Sequence, residues 1–116
     1  MKARLDFPFE VLGKQWTVRL LTDKYYRKKN GKDSCAITKV HKRRIELRPK
    51  YLDWETVAHE LTHAYKYEMC LHSTISVGED DWEEFVCELV AKRGREIVEL
   101  SDKLHAQIQS ALKGAQ

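Results

Sequence analysis

The spacing of apolar residues changes near residue 51, from every second position before it to every third or fourth after it. A backbone segment satisfies only one of these periods, so strands come first and helices second. From Phe9 to Leu20 the chain holds Gly13 between two β-prone pieces and alternates at Trp16, Val18 and Leu20, which predicts a hairpin. Cys35–Val40 and Arg44–Arg48 flank the basic cluster His41-Lys42-Arg43-Arg44 and predict a second strand pair with a charged edge. Residues 23–33 between these pairs read as a polar, basic loop or short helical turn closed by Asn30-Gly31, and Pro8 and Pro49 read as element boundaries.

After residue 51, Asp53 is placed to cap a helix whose apolar stripe is Trp54, Val57, Ala58, Leu61 and Tyr65. A loop around 71–78 follows. Asp80 and Asp81 then open a second helix with the stripe Trp82, Phe85, Val86, Leu89 and Val90, stopping at Gly94. A third helical pattern runs from Arg95 to Leu112 through Ile97, Val98, Leu100, Leu104 and Ile108. The expected fold is α+β, a single domain over 1–116 with an antiparallel or mixed sheet followed by three helices.

A chain of 116 residues buries roughly two-thirds of its unfolded surface, enough for one modest core and a shallow groove. No apolar run is long enough for a membrane span or a signal peptide, and Cys35, Cys70 and Cys87 lack the spacing of a disulfide framework, so the expected compartment is the cytoplasm. Residues 1–50 carry 15 Lys+Arg against 5 Asp+Glu and residues 51–116 carry 6 against 13, which hides a strong asymmetry behind the net charge of +3. The basic half is expected to attract an acidic peptide, an acidic protein or a nucleic acid.

The first predicted helix contains His59-Glu60-Leu61-Thr62-His63. Residues four apart lie above one another on a helix, so both imidazoles can reach one Zn²⁺ at about 2.0–2.1 Å, while Glu60 falls beside the metal as a general base and then acid. With 5 His in 116 residues, chance alone gives roughly 0.02 such matches. The competing interpretation is two surface histidines with an incidental glutamate. A catalytic zinc takes a third protein ligand, for which Glu83, Glu84, Glu88 and His72 are candidates. A metzincin pattern is excluded, because the position six residues after His63 is Met69.

Together, His59-Glu60-Leu61-Thr62-His63-Ala64 and Glu84-Phe85-Val86-Cys87-Glu88-Leu89-Val90-Ala91 resemble the gluzincin metallopeptidases of the ImmA/IrrE type and their small phage-encoded relatives, over about residues 35–94. In that family a second helix supplies the third ligand from a Glu-x-x-Ala-(Asn/Asp)-x-Phe-Ala pattern. The resemblance implies Glu84 as that ligand, Cys87 as the first small residue, Glu88 as the polar one, Val90 in place of the Phe and Ala91 as the final Ala. On helical spacing Glu84, Cys87, Glu88 and Ala91 share a face nearly opposite Trp82, Phe85, Val86 and Leu89, with Cys87 and Ala91 small enough to admit the motif helix; Glu83 would lie at the edge of the main stripe.

The leading expectation is therefore a zinc-dependent metallopeptidase, a hydrolase with His59, His63 and Glu84 as ligands and Glu60 as catalytic residue, acting on a peptide or protein substrate, with a phage regulatory protease as its implied setting. The substrate is expected to extend along an edge strand near Ile45–Arg48, with Arg43, Arg44 and Arg48 favouring acidic side chains. Tyr65, Tyr67 and His72 are the nearest candidates to stabilise an oxyanion. Cys87 is expected to be a small buried packing residue, and His41 and His105 surface residues. Two other readings stand beside the first. One is a SprT-like protease of DNA-associated proteins, with His72 as third ligand. The other is a non-catalytic nucleic-acid or regulator-binding module with a vestigial metal site, suggested by Lys24-Tyr25-Tyr26-Arg27-Lys28-Lys29.

Overall fold

A computed structural model describes residues 4–71 and 79–114. Strands β1 (Arg4–Val11) and β2 (Lys14–Leu21) form the first hairpin, followed by helix α1 (Asp23–Asn30), strands β3 (Ala36–Lys39) and β4 (Arg44–Leu47), and helices α2 (Trp54–Leu71) and α3 (Glu79–Gly114). The fold is α+β, with a mixed four-stranded sheet in the order β1-β2-β4-β3. β1 and β2 pair antiparallel, as do β3 and β4, whereas β2 and β4 run parallel. Among the described residues no helix is long and apolar enough to cross a membrane.

The hairpin turns through Leu12 and Gly13, at φ 49° and 79°. Two successive left-handed residues match the twist of the flanking strands; glycine adopts that conformation at no steric cost, and Leu12 offsets its own by packing on the core. Pro8 does not bound an element: it lies inside β1, opposite Thr17. β1 is an edge strand, where a missing N–H leaves no ladder bond unmade. Pro49 does mark a boundary, at the start of a 3-10 turn over Pro49–Tyr51.

The sheet has two unlike faces. Phe9, Val11, Trp16, Val18, Leu20, Ile45 and Leu47 point to α2 and α3 and form one core with Val57, Leu61, Ala64, Tyr65, Leu89, Ile97, Leu104 and Ile108. On the other face charges pair across strands and with α1. Arg19 meets Asp6 at 3.0 Å. Fully buried Glu46 collects Lys29 at 2.6 Å, Lys39 at 2.9 Å and Arg44 at 3.0 Å, together with the amide of Asn30 at 3.0 Å. Burial pushes the Glu46 carboxyl up, but these partners outweigh it and hold the group at about 2, below its ordinary 4.5.

Of the two alternatives for residues 23–33 the helical one holds: 23–30 form a short helix, closed at Gly31, which takes φ 83° and donates its N–H to Arg27 O at 2.9 Å. One expectation about the later helices is corrected. The predicted ligand and C-terminal helices are one continuous helix, α3, with no stop at Gly94. An interior glycine costs roughly 0.5–1 kcal/mol, less than the packing of Leu89 and Ile97 on either side contributes. An Arg93–Glu96 ion pair at 2.7 Å also spans the position. The expected stripe is only half right: Leu89 is buried, but Val86 and Val90 are exposed, and the side chain of Trp82 lies outside the described residues.

Candidate active site

Helix α2 begins where the sequence predicts. Asp53 Oδ1 accepts the Thr56 backbone N–H at 2.7 Å, and this bond, with one to the Thr56 side chain, lowers the Asp53 pKa. Val57, Leu61, Ala64 and Tyr65 are buried against the core. Trp54 instead spans the two long helices, its indole N–H donating to Asp102 at 2.7 Å, and stays partly exposed. Near its other end α2 is anchored by Glu68, fully buried, which accepts from Trp16 Nε1 at 2.9 Å and Arg43 Nε at 2.6 Å. Burial raises the Glu68 pKa, yet Arg43 and Trp16 reverse the sign and hold it below the usual range. Glu68 continues the stripe of Leu61 and Tyr65, the one sequence signal that it would face inward.

With that face buried, His59 and His63 project from the exposed side of α2, their Nε2 atoms 3.3 Å apart and rings steeply inclined. Two donors at 2.0–2.1 Å from a tetrahedral ion stand about 3.3–3.4 Å apart, so the pair has the bite of a zinc chelate. Glu60, between them in sequence, is 7% exposed. Its Oε2 accepts a hydrogen bond from the Thr38 hydroxyl, which also approaches the Glu60 carbonyl at 3.3 Å. Nothing in the sequence pointed to Thr38 beyond the alternation that turns Ala36 and Thr38 toward α2.

Glu60 lies at the junction of two halves of a cleft between α2 and β3. Beside His63, a space of about 470 Å³ is lined by Ile37, Thr38, Val40, Lys66 and Tyr67. Beside His59, one of about 340 Å³ is lined by Cys35, Asp53, Glu55 and Thr56; Ala36 and Glu60 border both. The strand bordering the cleft is β3, which among the described residues pairs with β4 alone.

This corrects the expected substrate strand. Ile45–Leu47 belong to β4, which is enclosed between β2 and β3, so no added strand can pair there. The arginines expected to select acidic side chains are also committed elsewhere. Arg43 binds Glu68 and Arg44 binds Glu46, while Arg48, itself buried, binds Asp23 at 2.8 Å and lies over the Tyr51 ring.

The structure does not bring Glu84 to the histidine pair. Tyr65, two residues past His63, donates to Glu96 at 3.3 Å; Glu84 lies a further twelve residues back along α3, on the order of 18 Å at the helical rise. Glu83, Glu84 and Glu88 are exposed on α3, and His72 lies outside the described residues. Among the described residues no three His, Cys, Asp or Glu side chains form a group able to hold a metal. The histidine pair thus fits zinc, while a third donor is not gathered beside it. Cys87, expected to be buried, is exposed, as is Ala91, so that face of α3 does not receive the motif helix. Of the three oxyanion candidates, Tyr65 is buried and bonded to Glu96, with burial raising its pKa to about 12, whereas Tyr67 lines the cleft. Compared with known proteins, the chain matches no family model, no curated protein and no solved structure.

Proposed function

We propose that this protein is a small zinc-dependent peptidase, resembling the ImmA/IrrE-type gluzincins, whose substrate lies in the cleft between α2 and β3. The observation that carries this reading is the His59/His63 pair with a chelating separation, beside buried Glu60 and a sheet edge open to pairing. His59 and His63 would hold the ion; Glu84, the third ligand that the family resemblance implies, stands too far along α3 to join them. When bound, zinc supplies Lewis acidity, polarising a peptide carbonyl and acidifying water. Glu60 takes the proton of the attacking water on Oε1 and returns it to the leaving amine, while the Thr38 hydroxyl fixes Oε2. The backbone of β3 pairs with the extended peptide, and Tyr67, which lines the cleft, is the candidate phenol for the developing oxyanion.

Metal analysis together with hydrolysis of quenched-fluorescence peptides tests this. Wild type is expected to bind one zinc and cleave, His63→Ala to lose zinc, Glu60→Ala to keep zinc without cleaving, and Glu84→Gln to bind zinc as wild type does. A folded wild type that takes up no zinc overturns the proposal. The absence of a gathered third donor among the described residues favours, as a second reading, a binding module with a vestigial site. Folded protein that binds oligonucleotides with steep salt dependence, unchanged by chelator, would establish that reading instead.

A further inference from the structure

We propose that the cleft selects peptides carrying a bulky apolar side chain followed, toward the C-terminus, by a basic one, the apolar group in the half beside His63 and the basic group in the half beside His59. This inference rests on the peptidase reading and concerns the substrate class of the same site.

The two halves share Ala36 and Glu60 and differ in everything else. The half beside His63 is walled by Ile37, Val40 and the ring of Tyr67, with Lys66 also lining it. Burying an apolar side chain there gains roughly 25 cal/mol per Å² removed from water. The half beside His59 holds Asp53 and Glu55, and none of its described lining residues is Lys or Arg. Asp53 is already fixed as the cap of α2, with hydrogen bonds that favour its ionised form. Glu55 is exposed and stands four residues before His59, as His59 does before His63, so its carboxylate shares the histidines' helical face and lies where a peptide passing the pair must run. A cation placed there meets two carboxylates, whereas an acidic side chain is repelled by both.

The order along the peptide follows from the strand. β3 runs from the His59 half, at Cys35 and Ala36, to the His63 half, at Val40. A peptide pairing antiparallel to it, the more stable arrangement per residue, runs the other way and meets the apolar half first. The specificity so derived is opposite in charge to the acidic preference that the basic N-terminal half suggests, because the arginines behind that expectation are consumed by Glu46, Glu68 and Asp23.

Labelled peptides with a fixed Phe and with Lys, Ala or Glu one to three residues on its C-terminal side test this by fluorescence anisotropy, using zinc-loaded Glu60→Gln protein to prevent turnover. The Lys peptides are expected to bind about tenfold more tightly than the Glu peptides at low salt, as suits two exposed charge contacts, with the difference shrinking as salt rises. Glu55→Lys, added to the same protein, is expected to abolish or invert the preference while leaving the Asp53 cap intact. Equal affinities within twofold, an unchanged preference in the Glu55→Lys protein, or no binding of any peptide overturns the proposal. The same peptides given to wild type separate the two claims. Charge-selective binding without cleavage leaves the cleft's selectivity standing and removes the peptidase reading, and cleavage indifferent to charge does the reverse.

Discussion

Glu46 and Glu60 are both buried glutamates, one on each side of the sheet, and they are treated in opposite ways. Around Glu46 three cations and an amide converge, so its charge is fully used in joining β4 to β3 and α1. Glu60 is hydrogen-bonded by the Thr38 hydroxyl and otherwise opens on the cleft. A buried carboxylate that several cations saturate is a structural joint, whereas one held at a single oxygen beside open space keeps an acceptor for chemistry.

The contrast can be broken most sharply at Glu60. Glu60→Gln is expected to lower peptide hydrolysis by about 100-fold to 10,000-fold, the usual worth of a general base, while stability measured by urea unfolding changes by less than about 1 kcal/mol. A large loss of stability there would place Glu60 with Glu46 as a joint. Glu46→Ala is expected to do the opposite, destabilising by on the order of 2–3 kcal/mol, discounted because its cations keep some solvent. Its effect on zinc content should be negligible.

Acid sharpens the same difference. Because the folded Glu46 pKa is depressed to about 2 from 4.5, its contribution to stability is complete above the unfolded value and disappears as pH falls through the folded one. The urea midpoint of wild type is therefore expected to drop between pH 5 and pH 2, and that of Glu46→Gln to drop less; parallel curves would contradict the assignment. Thr38→Val should lower the turnover number by about tenfold or less with little change in KM, since it frees Glu60 to reorient while keeping the shape of a side chain that lines the cleft. The smallest effect belongs to Gly94→Ala. An added Cβ meets only Val90 Cγ1 at 3.8 Å, so a continuous α3 predicts a gain of roughly 0.4–1 kcal/mol, and a loss would mean that the helix breaks there.

Several elements were legible because their signals are local. The alternation at Trp16, Val18 and Leu20 gave the first hairpin, and Asp53 marked the start of α2 with the bond it makes. The i, i+4 spacing of His59 and His63 beside the stripe of Val57 and Leu61 placed both imidazoles on an exposed face. Gly94 misled, since a glycine's stop signal is weak and the apolar pattern of Leu89, Ile97, Leu104 and Ile108 runs through it. The reading of Arg43, Arg44 and Arg48 as substrate contacts failed for another reason: the pairs Arg43–Glu68 and Arg48–Asp23 join residues far apart in the chain, which no local pattern reports, and Arg44 turns to Glu46, two residues along the same strand, within a cluster that Lys29 and Lys39 complete from elsewhere.

By itself the sequence determined that strands come first and helices second, where the first hairpin and α2 lie, and that two histidines and a glutamate occupy one stretch of helix. Periodicity and capping are encoded within a few residues of where they act. Only the tertiary structure decided that β2 and β4 are parallel neighbours, and hence that β3 rather than β4 is the edge beside α2. It also decided that Glu46 and Glu68 consume the arginines and that Thr38 reaches Glu60. A segment's periodicity tells it which face to bury, but not which segment it will bury that face against.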